Sequence, residues 1–300
     1  MKKCPSCGTI CNNPDLCPTC GAKLTQYRDI PVSVSATSPA APSAPVSTPP
    51  PKPAPIPIDK ALEPFEVVPN ADGKTYMLVA IKDKSATEAV SPDCITSILS
   101  RAFAGCTRLT SVYIPDGVTH IENSAFCGCS ALTTLYIPDS VISIGCSAFQ
   151  NCTSIYWVHM SENVIEISDY TFLNCESIRT INLPQGLKRI GNSAFHNCKF
   201  LSSISLPNKL THIGREAFYN CGFLPDITIP SRIRAVESYA FSCTGIRSLT
   251  IEKGAKNIST FAFVHCVNLK KVSAPFFVKR RIKPYFSVRE HNDSTRRTHS

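Results

Sequence analysis

Four cysteines near the start of the chain, Cys4, Cys7, Cys17 and Cys20, form two Cys-x-x-Cys pairs with nine residues between them. Four thiolates at this spacing suit tetrahedral Zn²⁺, and they leave no coordination position open for a reacting group. The metal is therefore expected to be structural. Cys4-Pro5-Ser6-Cys7-Gly8 and Cys17-Pro18-Thr19-Cys20-Gly21 are two copies of one knuckle. Proline shapes the turn, and the glycine tolerates a positive φ while nearby amides turn toward sulfur. So short a segment cannot bury a core, so metal binding should supply its folding energy. The same four sulfurs would also accept iron. Cys11, the odd thiol, reads as a small semi-buried side chain and not as a fifth ligand.

A second set of thiols recurs through the rest of the chain: Cys106, Cys129, Cys152, Cys175, Cys198, Cys221, Cys243 and Cys266. The intervals are 23 residues with one of 22, and an Ala-Phe pair keeps the same pitch from Ala102-Phe103 to Ala262-Phe263. Aligned thiols invite a metal or redox reading, but geometry opposes it. Successive repeats lie ~4.8 Å apart with parallel side-chain vectors, whereas a disulfide needs Cβ atoms near ~3.8 Å that face each other. These cysteines are expected to be buried packing residues. The seven histidines fall at unrelated repeat positions or near the C-terminus. No cysteine is paired in sequence with a general base, and no Gly-rich phosphate loop is present. The chain is expected not to be an enzyme.

The period dictates the elements that position these groups. A repeat of this length is a supersecondary unit that buries its apolar side only against its neighbours, so the fold is expected to be a β-rich solenoid. Counting from Leu109, one apolar column runs Leu109, Leu132, Ile155, Ile178, Leu201, Leu224, Ile246 and Leu269. Further columns follow three and five residues on, usually closed by proline. Alternate inward residues ended by proline read as a short strand, and equivalent strands of successive turns pair in parallel. The Val118 and Ile121 columns suggest a second short strand, and Ala-Phe-x-x-Cys a helical or 3₁₀ turn. The phenylalanines fill the space between the two faces. Outward positions then bring Tyr113, Tyr136, Trp157 and His159 together over three turns, with Tyr156 beside them. Exposed aromatics of this kind anchor interfaces, and the four are the candidate partner-binding residues.

Five segments follow: 1–26 a Cys4 zinc module, 27–61 a Pro-rich disordered linker, 62–90 a β-hairpin cap around Asn70-Ala71-Asp72-Gly73, 91–275 the solenoid, and 276–300 a basic, mostly disordered tail. Ten prolines between Pro31 and Pro57 favour extended polyproline II. Of the net charge of +9, residues 270–300 carry nine Lys/Arg against Glu290 and Asp293, leaving the folded body nearly neutral. Phe276, Phe277, Tyr285 and Phe286 are expected to fold over the last turn. No apolar run is long enough to span a bilayer, and no secretory h-region follows Met1-Lys2-Lys3. A reducing, cytoplasmic setting is therefore expected.

The unit Leu-x-x-Ile-x-Ile-Pro-x-x-Val-x-x-Ile-Gly-x-x-Ala-Phe-x-x-Cys resembles the BspA-like, or treponemal-type, leucine-rich repeats over about Pro92 to Pro275. The first residues, about Met1 to Leu24, resemble the short zinc ribbons at the N-termini of many bacterial proteins. The Asn/Cys ladder of other leucine-rich repeats is absent from the loop after the strand. Together these features imply a non-enzymatic scaffold or adaptor with structural Zn²⁺ and a protein partner. The alternatives are a cell-surface or secreted adhesin, or a nucleic-acid-associated protein acting through the zinc ribbon and basic tail.

Overall fold

The computed structural model describes residues 57–282, residues 52 and 54, and two short strands, Lys2–Lys3 and Ile10–Cys11. The chain divides into two compact units, Met1–Ala44 and Pro45–Ser300. In the first, Lys2 pairs with Cys11 and Lys3 with Ile10, antiparallel. The expected metal ligands Cys4, Cys7, Cys17 and Cys20 lie outside the described residues.

The second unit is a β-solenoid of short elements repeated over about nine turns, about 23 residues apart. Strands of two to four residues pair in parallel with their equivalents one coil away, as in Thr134–Tyr136 with Trp157–His159 and Asp226–Ile229 with Ser248–Ile251. Proline lacks a backbone N–H, so Pro138, Pro184 and Pro230 keep these strands short. A second ladder links Glu166–Ile167, Arg189–Ile190, His212–Ile213 and Ala235–Val236. Between the ladders run eight phenylalanines, Phe103 to Phe263, each fully or almost fully buried. Successive rings stack nearly parallel, with centroids 4.7 Å apart at Phe103–Phe126 and 5.5 Å at Phe149–Phe172. Offset stacks at this separation add to the burial energy.

The Ala-Phe-x-x-Cys segments consist of i→i−3 turns in which alternate amides leave the turn. Ala102, Ala104 and Cys106 donate within the coil to Leu99, Arg101 and Phe103, whereas Arg101, Phe103 and Gly105 donate to Asn123, Ala125 and Cys127 of the next coil. This side of the solenoid is thus stitched from coil to coil without regular strand or helix. The alternation requires left-handed backbone at two positions per coil: Tyr170 and Asn174, for example, have φ of 62° and 60°. At the other bend, Gly145, Gly191 and Gly214 sit where an added Cβ would collide with the preceding coil.

One column needs correcting. The residue three after Phe241 is Thr244, not Cys243, and Thr244 is the buried member. Cys243 is only half-buried, at φ 57°. The missing residue of that repeat is taken from the following loop, where a Cβ on Gly245 would strike the carbonyl oxygen of Gly222.

The open N-terminal end is covered by an antiparallel hairpin, Phe65–Pro69 with Tyr76–Ile81, whose second strand continues in parallel onto Ile95–Ile98. Asp72 holds the turn by accepting from the amides of Lys74 and Thr75 and from the Thr75 hydroxyl. Phe65 meets Phe103 edge-on at 6.2 Å and ends the ring stack. A short helix, Ile58–Leu62, occupies the end of the stretch read as linker, and Leu62 packs on the core.

The far end differs from the expected disordered tail over residues 276–282. Phe276–Ile282 forms a helix, and its capping contact is made by Ile282, which is 1% exposed, with Val278 beside the core. Phe276 and Phe277, expected to fold inward, are 70% and 79% exposed. The i to i+4 spacing of Val278 and Ile282 turns their face to the core and the phenylalanines away. Tyr285 and Phe286 lie outside the described residues.

Candidate interaction surface

On the sheet surface, the strand Trp157–His159 lies between Thr134–Tyr136 and Thr180–Ile181. Register sets Tyr136 directly beside His159 and Trp157 beside Thr134 and Thr180. Alternation sends Val158 and Leu135 into the core and leaves the flanking side chains half-buried on the outer face. The Tyr136 and His159 rings stack at 4.5 Å and 6°, and the Trp157 ring lies 6.3 Å from His159 at 22°. Tyr113 stands on the neighbouring strand Ser111–Tyr113, paired through Val90 with Glu88–Val90. Tyr156 is also half-buried, within the same segment. The structure thus brings Tyr136, Trp157 and His159 into ring contact and places Tyr113 one coil before Tyr136.

Carboxylates edge this surface. Burial raises the Tyr113 hydroxyl pKa, and Asp93 and Asp116 raise it further. Burial acts likewise on Tyr136, with Asp139 and Asp116 adding to it. Lys52, paired with Asp93, acts in the opposite sense on Tyr113, which leaves Asp116 and Asp139 as the carboxylates that favour a cationic partner beside the neutral phenols. Beside Tyr113 opens a cavity of about 700 Å³ lined by Ile58, Phe65, Ile81, Val90 and Ser91. Lys52 Nζ and Asp93 Oδ2 pair at 2.8 Å in its lining. Ser91 Oγ is buried there without a hydrogen-bond partner among the described residues. Sequence reading missed this cavity, because its walls come from the helix, the hairpin and the first coil, and no periodic pattern joins them.

The buried thiols have a further role. Cys129, Cys152, Cys175, Cys198 and Cys221 donate Sγ–H to the carbonyl oxygens of Phe103, Phe126, Phe149, Phe172 and Phe195, one coil back, at 3.1–3.4 Å. They act as weak donors as well as packing groups. Thr244, at the equivalent position, instead turns its hydroxyl to Phe241 O of its own coil at 2.7 Å. Beside them, Asn151, Asn174, Asn197 and Asn220 form an amide ladder, in which Nδ2 of the last three each donates to the preceding Oδ1 at 2.8 Å. The recurring Asn-Cys dipeptide was the available signal for it. Among the described residues, no group of three or more His, Cys, Asp or Glu is arranged to hold a metal ion. No helix among them is long and apolar enough to cross a membrane.

The solenoid architecture is shared with solved bacterial proteins. A leucine-rich repeat protein from Bacteroides ovatus aligns at TM-score 0.54 with 22% identity, over 70% of this chain and 69% of that one. A leucine-rich repeat protein from Eubacterium ventriosum aligns at TM-score 0.51 with 27% identity, over 59% of this chain and 52% of that one. A leucine-rich cell surface protein from Faecalibacterium prausnitzii aligns at TM-score 0.45 with 25% identity, over 65% of this chain and 62% of that one. This chain therefore spans less than two thirds of the latter two. No curated protein matches it. Residues 80–200 and 165–287 match the BspA type leucine-rich repeat region, in six copies. With its repeat, its stacked phenylalanine core and this match over most of its length, the chain belongs to the BspA type leucine-rich repeat family.

Proposed function

We propose that the solenoid is a non-enzymatic scaffold that binds a protein partner through Tyr113, Tyr136, Trp157 and His159. The observation that carries this reading is the stacked Tyr136–His159–Trp157 cluster on an otherwise small-residue strand surface. Half-exposed, mutually braced aromatics lose little side-chain entropy on binding, which is why such residues serve as interface anchors. The Asp116 and Asp139 rim favours a basic segment on the partner. The test is affinity capture with the full chain and with a Tyr136→Ser/Trp157→Ser variant. Loss of the captured partner with an unchanged circular dichroism spectrum and melting curve is expected, and equal capture by the two proteins would refute the surface.

In this reading the N-terminal unit is a structural zinc module held by Cys4, Cys7, Cys17 and Cys20. Its support is the donor set itself: four thiolates in two paired knuckles match the coordination number and softness that Zn²⁺ prefers. Metal analysis should find one zinc per chain, lost in Cys7→Ser/Cys20→Ser. The scaffold is read as a cytoplasmic adaptor, and cell fractionation distinguishes it from a surface adhesin.

A further inference from the structure

Charge is strongly polarised along the solenoid. Residues 57–187 hold seven Lys/Arg against fourteen Asp/Glu, and residues 188–282 hold fifteen against four. Because each coil stacks only on its neighbours, this division along the sequence becomes a division along the axis. The aromatic surface lies in the acidic half. In the basic half, Lys188, Lys209, Arg232, Arg234 and Lys256 line one groove of about 540 Å³, with Thr211 and Ser231 and without any carboxylate or aromatic ring in the lining.

The repeat builds this groove. Lys188, Thr211 and Arg234 occupy one position in three successive coils: the Thr211 amide bonds the Lys188 carbonyl at 2.9 Å, and the Arg234 amide bonds the Thr211 carbonyl at 2.7 Å. Lys256 follows in the next coil, its amide on Ile233 O. Lys209 and Arg232 form a parallel column two residues earlier, followed by Gly254, which leaves that end without a side chain. The cations are thus presented in two adjacent rows on coils ~4.8 Å apart, with Thr211 interrupting the first row. All five are exposed, and none makes an ion pair among the described residues. The adjacent Arg189, by contrast, is neutralised by Glu166 and Asp169. Glu252, the carboxylate nearest in sequence to Gly254, is engaged by the Ser231 amide.

We propose that this groove binds a linear anionic polysaccharide, with sulfate or phosphate groups along the chain meeting the two rows of cations. Unpaired Lys and Arg side chains carried on four successive coils match a polymer with anions along its length, and counterion release drives the association. The absence of aromatic side chains from the lining removes the stacking platform that single-stranded nucleic acid uses. The acidic half of the solenoid repels the same polymer and confines it to the last coils.

Heparin serves as the probe, with the full chain, at low and raised salt. Lys188→Gln/Arg234→Gln/Lys256→Gln should weaken heparin binding at least about tenfold and flatten its salt dependence. The control Lys279→Gln/Arg280→Gln/Arg281→Gln alters the terminal helix and spares the groove; it should change affinity less than about threefold. Circular dichroism establishes that both variants fold. Undiminished heparin binding by the groove variant, or equal losses in the two variants, would overturn the proposal. So would a single-stranded oligothymidylate that displaces heparin from the groove at lower charge concentration.

Discussion

The thiol of Cys175 donates to the carbonyl oxygen of Phe149 at 3.1 Å, joining the cysteine of one coil to the aromatic core of the coil before it. That oxygen already accepts the Cys152 amide at 3.2 Å, so the thiol satisfies its second lone pair. Each cysteine thereby couples two coils at the point where the ring stack passes between them.

Removing one such donor should cost little more than its packing. Cys175→Ala is expected to destabilise by about 1–2 kcal/mol, since the Phe149 carbonyl keeps one partner. Cys175→Ser should lose less, because its hydroxyl keeps a donor beside the Phe149 carbonyl. Urea denaturation of the two variants measures the difference, and the same midpoint for both would argue against the bond.

Truncating the ring stack should be more severe. Phe172 is fully buried between Phe149 and Phe195, with centroids 5.5 and 5.4 Å away. Phe172→Ala is expected to cost about 3–5 kcal/mol. In a linear array the damage should also divide the unfolding transition, visible as a second step in calorimetry, because coupling between coils passes through this contact.

The asparagine ladder separates backbone strain from hydrogen bonding. Asn174 has φ 60° and bonds both Asn151 and Asn197. Asn174→Gly and Asn174→Ala both lose the ladder bonds, but glycine sheds the Cβ penalty of the left-handed region and alanine keeps it. The alanine variant should therefore be less stable than the glycine variant by about 1 kcal/mol. Gly105 and Gly128, at φ 77° and 78°, show the glycine form in the first coils.

Alkaline pH should weaken the fold. Burial raises the pKa of Cys175, Cys198 and Cys221 well above the ordinary thiol value, and that of Cys266 to about 11. Above about pH 9 the unfolded chain loses these protons while the folded chain keeps them, so stability falls as pH rises. It is fully present below that value, and each buried thiol subtracts about 1.4 kcal/mol per pH unit until its folded pKa is passed. For Cys266 the window closes near pH 11. The urea midpoint should drop between pH 8 and pH 10, and native thiol labelling should reach exposed Cys146 long before Cys175.

Periodicity alone determined the repeat, its inward columns and the shared face of Tyr113, Tyr136, Trp157 and His159. Parallel strands at a fixed residue offset convert sequence spacing into adjacency, so any reader of the period can place those side chains. Such a rule specifies which residues are neighbours and says little about how their polar atoms pair. Tertiary structure therefore decided that the cysteines are donors, that Thr244 and not Cys243 completes their column, and that the asparagines form a ladder. It also decided where the period ends: Ile282 and the hairpin strand Phe65–Pro69 cover the two open faces through contacts that no repeat encodes. The five cations of the basic groove come from four coils and become one site only when those coils stack.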